Sequence, residues 1–89
     1  LITTDNPRSE DPALIAAAVL AGARGGPGRV ELVPDRAAAI TMAIELAAPP
    51  DIVILAGKGH ERTQTVGEQV LPFDDAEVAA NVLSARRIP

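Results

Sequence analysis

Ile52-Val53-Ile54-Leu55-Ala56-Gly57-Lys58-Gly59-His60-Glu61 passes from an unbroken apolar, largely β-branched run to a polar stretch opened by two glycines. A short run of this kind reads as a strand buried on both faces of a parallel sheet. It is far below the ~20 residues needed to span a bilayer. Pro49-Pro50 ahead of it stops a preceding helix. The stretch behind it, from Gly57 to Gln69, reads as loop or one short turn, with Val70-Leu71 forming a short edge strand before Pro72.

Upstream, Val30-Glu31-Leu32-Val33 alternates as a short strand, and Asp35 caps a helix whose Ala39, Ile40, Ala43, Ile44 and Ala47 share one face. The segment from Ala23 to Gly28 is too glycine-rich for an element interior and is a loop. Asp11 as N-cap and Pro12 at the first helical position start an earlier helix. Its stripe of Leu14, Ile15, Ala18 and Val19 should pack on a sheet, and Gly22 should end it in the left-handed conformation. Leu1-Ile2-Thr3-Thr4 reads as a chain beginning inside a strand, and Asp5 to Ser9 as a polar loop stiffened by Pro7. Downstream, Asp74 and Glu77 have capping-box spacing. Val78, Ala79, Val82 and Leu83 form the stripe of a last helix, which Arg86 and Arg87 close at its negative pole. The order predicts an α/β fold: a partial, Rossmann-like, mostly parallel sheet with flanking helices, occupying residues 1–89 as part of one domain. Ligands in such sheets bind beyond the carboxyl ends of the strands, where the loops starting at Asp5 and Gly57 both emerge.

The 89 residues suit one small domain, whose folding hides about 63% of the extended chain's surface. With no Cys, neither a disulfide framework nor a thiolate metal site is available. Eight basic residues are dispersed among twelve acidic ones for a net charge of -4, which argues against nucleic acid as a partner. No membrane insertion is expected.

Four residues at the two strand exits have the chemistry to hold a zwitterion. Arg8 offers a planar fork for a carboxylate, and Asn6 adds a donor and an acceptor. Gly57 lets backbone approach a ligand closely, and Glu61 can accept from an ammonium. Asp5, Lys58 and His60 are supporting candidates. The plainer alternative is a tight turn with Lys58 and Glu61 in solvent and Arg8 on the surface, where lone loop arginines are most often found. Gly57-Lys58-Gly59 lacks both the Walker spacing and the dinucleotide fingerprint. His60, the one histidine, has neither a nucleophile nor metal-ligand partners in view, so no metal or catalytic residue is expected. Asp74 and Asp75 look like paired carboxylates but stand where a helix begins, which favours capping. Met42 and Phe73 are expected in the core or anchoring a loop.

The stretches DNPRSEDP (Asp5 to Pro12), DRAAAI (Asp35 to Ile40), AGKGHE (Ala56 to Glu61) and PFDD (Pro72 to Asp75) together resemble the carboxy-terminal part of the Mur ligases, in the form that adds a diaminopimelate. The resemblance implies an amide-forming ligase that uses ATP and Mg2+ in the cytoplasm for peptidoglycan synthesis. Its partners would be meso-diaminopimelate and a UDP-MurNAc-dipeptide held by other domains. It maps the diaminopimelate site onto Asn6, Arg8, Gly57 and Glu61, with Arg8 matching the second carboxylate that lysine lacks. The same resemblance places the P-loop, the magnesium ligands and the nucleotide-sugar site outside these residues. The 89 residues alone are therefore expected to be inactive, to bind no cofactor of their own and to need the rest of the ligase to complete the sheet. Thr63 stands where many relatives carry an aromatic residue. A small-zwitterion-binding module and a structural fragment are the alternative readings.

Overall fold

The computed structural model describes residues 1–86. Three helices and one hairpin follow one another: α1 (Pro12–Ala23), α2 (Arg36–Leu46), β1 (Thr63–Val66), β2 (Gln69–Pro72) and α3 (Asp75–Arg86). The fold is mixed α/β, as expected, but its hydrogen-bonded sheet is a two-stranded antiparallel one, β1 against β2.

The helix starts follow local chemistry. Asp11 accepts from Ala13 N at 2.9 Å with Pro12 in the first turn, and Asp35 accepts from Ala38 N at 3.1 Å. Asp74 Oδ1 accepts from Ala76 N at 2.9 Å and Glu77 N at 3.3 Å, satisfying donors that α3 would otherwise leave free. Arg86 closes α3 and donates to the Ile44 carbonyl of α2; the companion expectation for Arg87 lies outside the described residues. Gly22 does not end α1. The helix runs through Ala23 to a right-handed cap at Arg24, whose N–H bonds the Leu20 carbonyl. A right-handed continuation needs no left-handed residue.

The mostly parallel, Rossmann-like sheet is not formed within these residues. Residues 1–4 and 30–33 run parallel but share one bridge, Ile2 with Leu32, through Ile2 N to Glu31 O and Val33 N to Ile2 O, both 2.8 Å. One more main-chain bond follows, Thr4 N to Pro34 O at 3.4 Å, before Asp35 caps α2 and the Thr4 carbonyl accepts from Arg36. Ile52 to Ala56, expected as the buried central strand, forms no strand. Among the described residues its backbone has no backbone partner, and Ile52 and Ile54 stand 86% and 82% exposed. A β-branched run becomes a strand only when a neighbour takes its N–H and C=O groups. The α1 stripe lacks a sheet for the same reason, with Leu14 70% exposed and no residue of the helix buried.

The region expected to be loop holds β1. Thr63, Thr65 and Val66 are β-branched, and Gly67-Glu68 turns the chain into β2 with Gly67 at φ 61°, the backbone a II′ hairpin requires at its first turn position. Val70 and Leu71 lie in β2 as expected.

The core is small. Ala39, Ile40 and Ile44 of α2 form it among the described residues, and α2 packs on α3. The accessible surface is 6510 Å². A compact monomer of 9.2 kDa would expose roughly 4,900 Å². The excess is apolar in good part, on α1 and along residues 52–54.

Candidate functional site

The loop from Asp5 to Arg8 is bound to the hairpin by main-chain and side-chain bonds. Arg8 N donates to Thr65 O at 2.9 Å, Gly67 N returns to Arg8 O at 2.5 Å, and Arg8 makes a parallel bridge with Val66. Its φ of 55° is left-handed, unusual for a residue with a side chain and affordable only because bonds on both sides hold it. Pro7 is buried and the Arg8 side chain is exposed. Asn6 Oδ1 accepts from Thr65 N at 2.7 Å, which fixes the orientation of the amide. Gln64 Nε2 donates to Asp5 O at 3.0 Å.

The second loop meets the first at Gly57. Asp5 Oδ2 lies 3.0 Å from where a Cβ on Gly57 would stand, and Gly57 has φ +104°. Both the space and the backbone therefore demand glycine there. Asp5 Oδ1 is buried with no hydrogen-bond partner among the described residues.

Lys58 departs from the solvent-facing alternative. It is 2% exposed, its Nζ donates to the Thr63 carbonyl, and it lies 5.8 Å from the centroid of the Phe73 ring. That makes it a strut inside the loop, with Phe73 as a loop anchor. Glu61 is half-buried, its N–H bonded to Lys58 O at 3.1 Å, and His60 is exposed. From Glu61 to Val66, which pairs with Arg8, the chain spans at most about 18 Å even fully extended.

Behind both loops sits a pair that sequence reading did not single out. Arg36, 5% exposed, donates Nε to Asp75 Oδ1 at 2.7 Å and Nη2 to Asp75 Oδ2 at 2.6 Å. The same guanidinium reaches Thr4 O and Ala56 O, each at 3.2 Å. Asp75 thus neutralises an arginine, and the capping expected of both aspartates falls to Asp74 alone. The Asp75 hydrogen bonds, and then the charges of Asp75 and Asp5, raise the Arg36 pKa against the opposing effect of burial. One local signal was present: an arginine in the first turn of a helix faces the positive pole of the helix dipole, an unfavourable place unless another contact holds it.

Among the described residues no group of three His, Asp or Glu side chains could hold a metal ion. Lys58, the cation of the glycine-flanked loop, is turned inward to a carbonyl and a ring. These residues do not fit an ATP–magnesium site. What they present is an exposed arginine at Arg8, the Asn6 amide held on Thr65, a glycine backbone at Gly57 and the half-buried Glu61.

Residues 1–59 match the family model described as Mur ligase, glutamate ligase domain. The chain is 51% identical over 86 residues to the UDP-N-acetylmuramoyl-L-alanyl-D-glutamate--2,6-diaminopimelate ligase of Bradyrhizobium diazoefficiens, covering 97% of this chain and 17% of that protein. It is 46% identical over 87 residues to the enzyme of the same name from Geobacillus thermodenitrificans, covering 98% of this chain and 18% of that protein. A solved structure of a ligase with that name superposes with a TM-score of 0.87 at 37% identity, over 98% of this chain and 18% of its own. The chain thus spans less than a fifth of the length of the relatives it matches.

Proposed function

This chain belongs to the Mur ligase family, and from that premise we propose that residues 1–89 are the acceptor-binding part of the C-terminal domain of an ATP-dependent ligase. The parent enzyme joins meso-diaminopimelate to UDP-N-acetylmuramoyl-L-alanyl-D-glutamate for peptidoglycan synthesis in the cytoplasm. The relatives carrying that name support the reaction. The carrying observation is the junction of the two loops, with Asp5 against Gly57 and Asn6 and Arg8 bound along β1.

In this reading the exposed Arg8 guanidinium takes a carboxylate of the amino acid in a bidentate grip, and Asn6 Nδ2 donates a further bond. The Gly57 backbone lies close to the ligand, and Glu61 holds the distal ammonium. Asp5 and Lys58 keep the loops in shape, and His60 stands at the rim. The chain's own contribution to catalysis is to position the amine. ATP, Mg2+ and the UDP-MurNAc-dipeptide are handled by the rest of the ligase, which also covers the apolar faces of α1 and of residues 52–54.

The test is substrate-selective kinetics on the intact ligase. Arg8→Ala should raise the KM for diaminopimelate by about thirtyfold, the equivalent of losing roughly 2 kcal/mol of charge-assisted hydrogen bonding, with the KM for ATP within about twofold. An equal rise in both rejects the assignment.

A further inference from the structure

We propose that Arg36 is a positioning residue that sets the spacing between the two acceptor-binding loops. The inference rests on the acceptor-site reading above and adds a residue that touches no substrate. Thr4 immediately precedes the loop carrying Asn6 and Arg8, and Ala56 immediately precedes the loop carrying Gly57 and Glu61. The carbonyls of Thr4 and Ala56 both accept from the Arg36 guanidinium, at 3.2 Å each. Among the described residues no backbone hydrogen bond joins residues 1–4 to residues 52–56. One buried guanidinium therefore does between these two segment ends what a strand ladder would otherwise do.

The geometry needs arginine in particular. The planar fork directs Nε and Nη2 at the two oxygens of Asp75, at 2.7 and 2.6 Å, which fixes its plane, while Nη1 and Nη2 reach the two carbonyls. A lysine at this position keeps the charge but is a single flexible point that cannot address all three partners in fixed directions. Asp75 orients the device from α3, so the separation of the two loops is set by side chains from the N-termini of two helices. A ligand gripped by Arg8 at one end and Glu61 at the other is selected by that separation.

The experiment uses Arg36→Lys and Asp75→Asn in the intact ligase, with Arg8→Ala as the control for the site itself. Arg36→Lys should raise the KM for diaminopimelate about ten- to hundredfold, as a displacement near 1 Å does to a positioned reactant, with the KM for ATP within about twofold. The preference for diaminopimelate over lysine should fall as well, which loss of stability alone would not produce. Asp75→Asn, which retains one acceptor oxygen, should shift both readings in the same direction by less, and it carries the test if Arg36→Lys does not fold. A variant with a lowered melting temperature but unchanged diaminopimelate KM and unchanged preference, measured where it is folded, overturns the positioning role. If Arg8→Ala is itself without acceptor-selective effect, the site reading fails and this inference with it. If Arg8→Ala is selective and the folded Arg36 and Asp75 variants are not, only the positioning role fails.

Discussion

The Asp5 carboxylate occupies the space a side chain on Gly57 would need, its Oδ2 3.0 Å from the ideal Cβ position, while Gly57 itself sits at φ +104°. Two independent constraints therefore meet at one residue. Gly57→Ala should cost about 1–3 kcal/mol of stability from the backbone alone and push the first loop away. The expected result is a lower melting temperature together with a raised KM for diaminopimelate. Adding Asp5→Ala should relieve the collision but not the backbone strain, so recovery should be partial. Full recovery would show that the dihedral constraint is unimportant.

Asn6 has two functions that substitution can separate. Asn6→Ala leaves the half-buried Thr65 N–H without its acceptor, a loss of about 1–3 kcal/mol. Asn6→Asp keeps an oxygen for Thr65 but replaces the Nδ2 donor with negative charge. It should melt near the parent temperature and bind diaminopimelate much more weakly. Unchanged binding in Asn6→Asp would remove Asn6 from the site.

Lys58 is expected to act on stability rather than on substrate. Lys58→Met retains the stem and loses both the bond to the Thr63 carbonyl and the contact with Phe73, at a cost of about 1–3 kcal/mol. Thermal melts of the intact ligase read this loss. A variant that melts normally yet loses diaminopimelate affinity would make Lys58 a ligand-binding residue instead.

Two aspartates at helix starts should respond very differently to alanine. Asp35→Ala removes an N-cap, worth about 1 kcal/mol, whereas Asp75→Ala strands a buried guanidinium at a cost of about 3–5 kcal/mol. Because the folded state raises the pKa of Arg36, its contribution is complete at every pH below the unfolded-state value and is lost only as pH climbs beyond it into strongly alkaline solution. Melting temperatures between pH 6 and 9 should therefore show no titration of Arg36. A loss of stability in that window that is abolished by Arg36→Lys would contradict the pairing.

The sequence by itself determined what depends on a few neighbouring residues. Asp11, Asp35 and Asp74 were legible as caps because a carboxylate two or three residues from a free N–H closes a short ring in almost any context. Donor, acceptor and glycine types at Asp5 to Arg8 and Gly57 to Glu61 are properties of the residues themselves, but the burial of Lys58 is not and was not legible. Which extended runs become strands was decided by whether a partner strand is at hand. Ile52 to Ala56 has the strongest strand composition yet has no backbone partner among the described residues, while the plainer Thr63 to Val66 pairs because Gly67 folds Gln69 to Pro72 back on it. Asp75 reads as a capping residue, and the misfit of Arg36 at a helix start gives no hint of which residue it meets. Only the packing of α2 on α3 takes both out of water, and a buried charge must find its opposite.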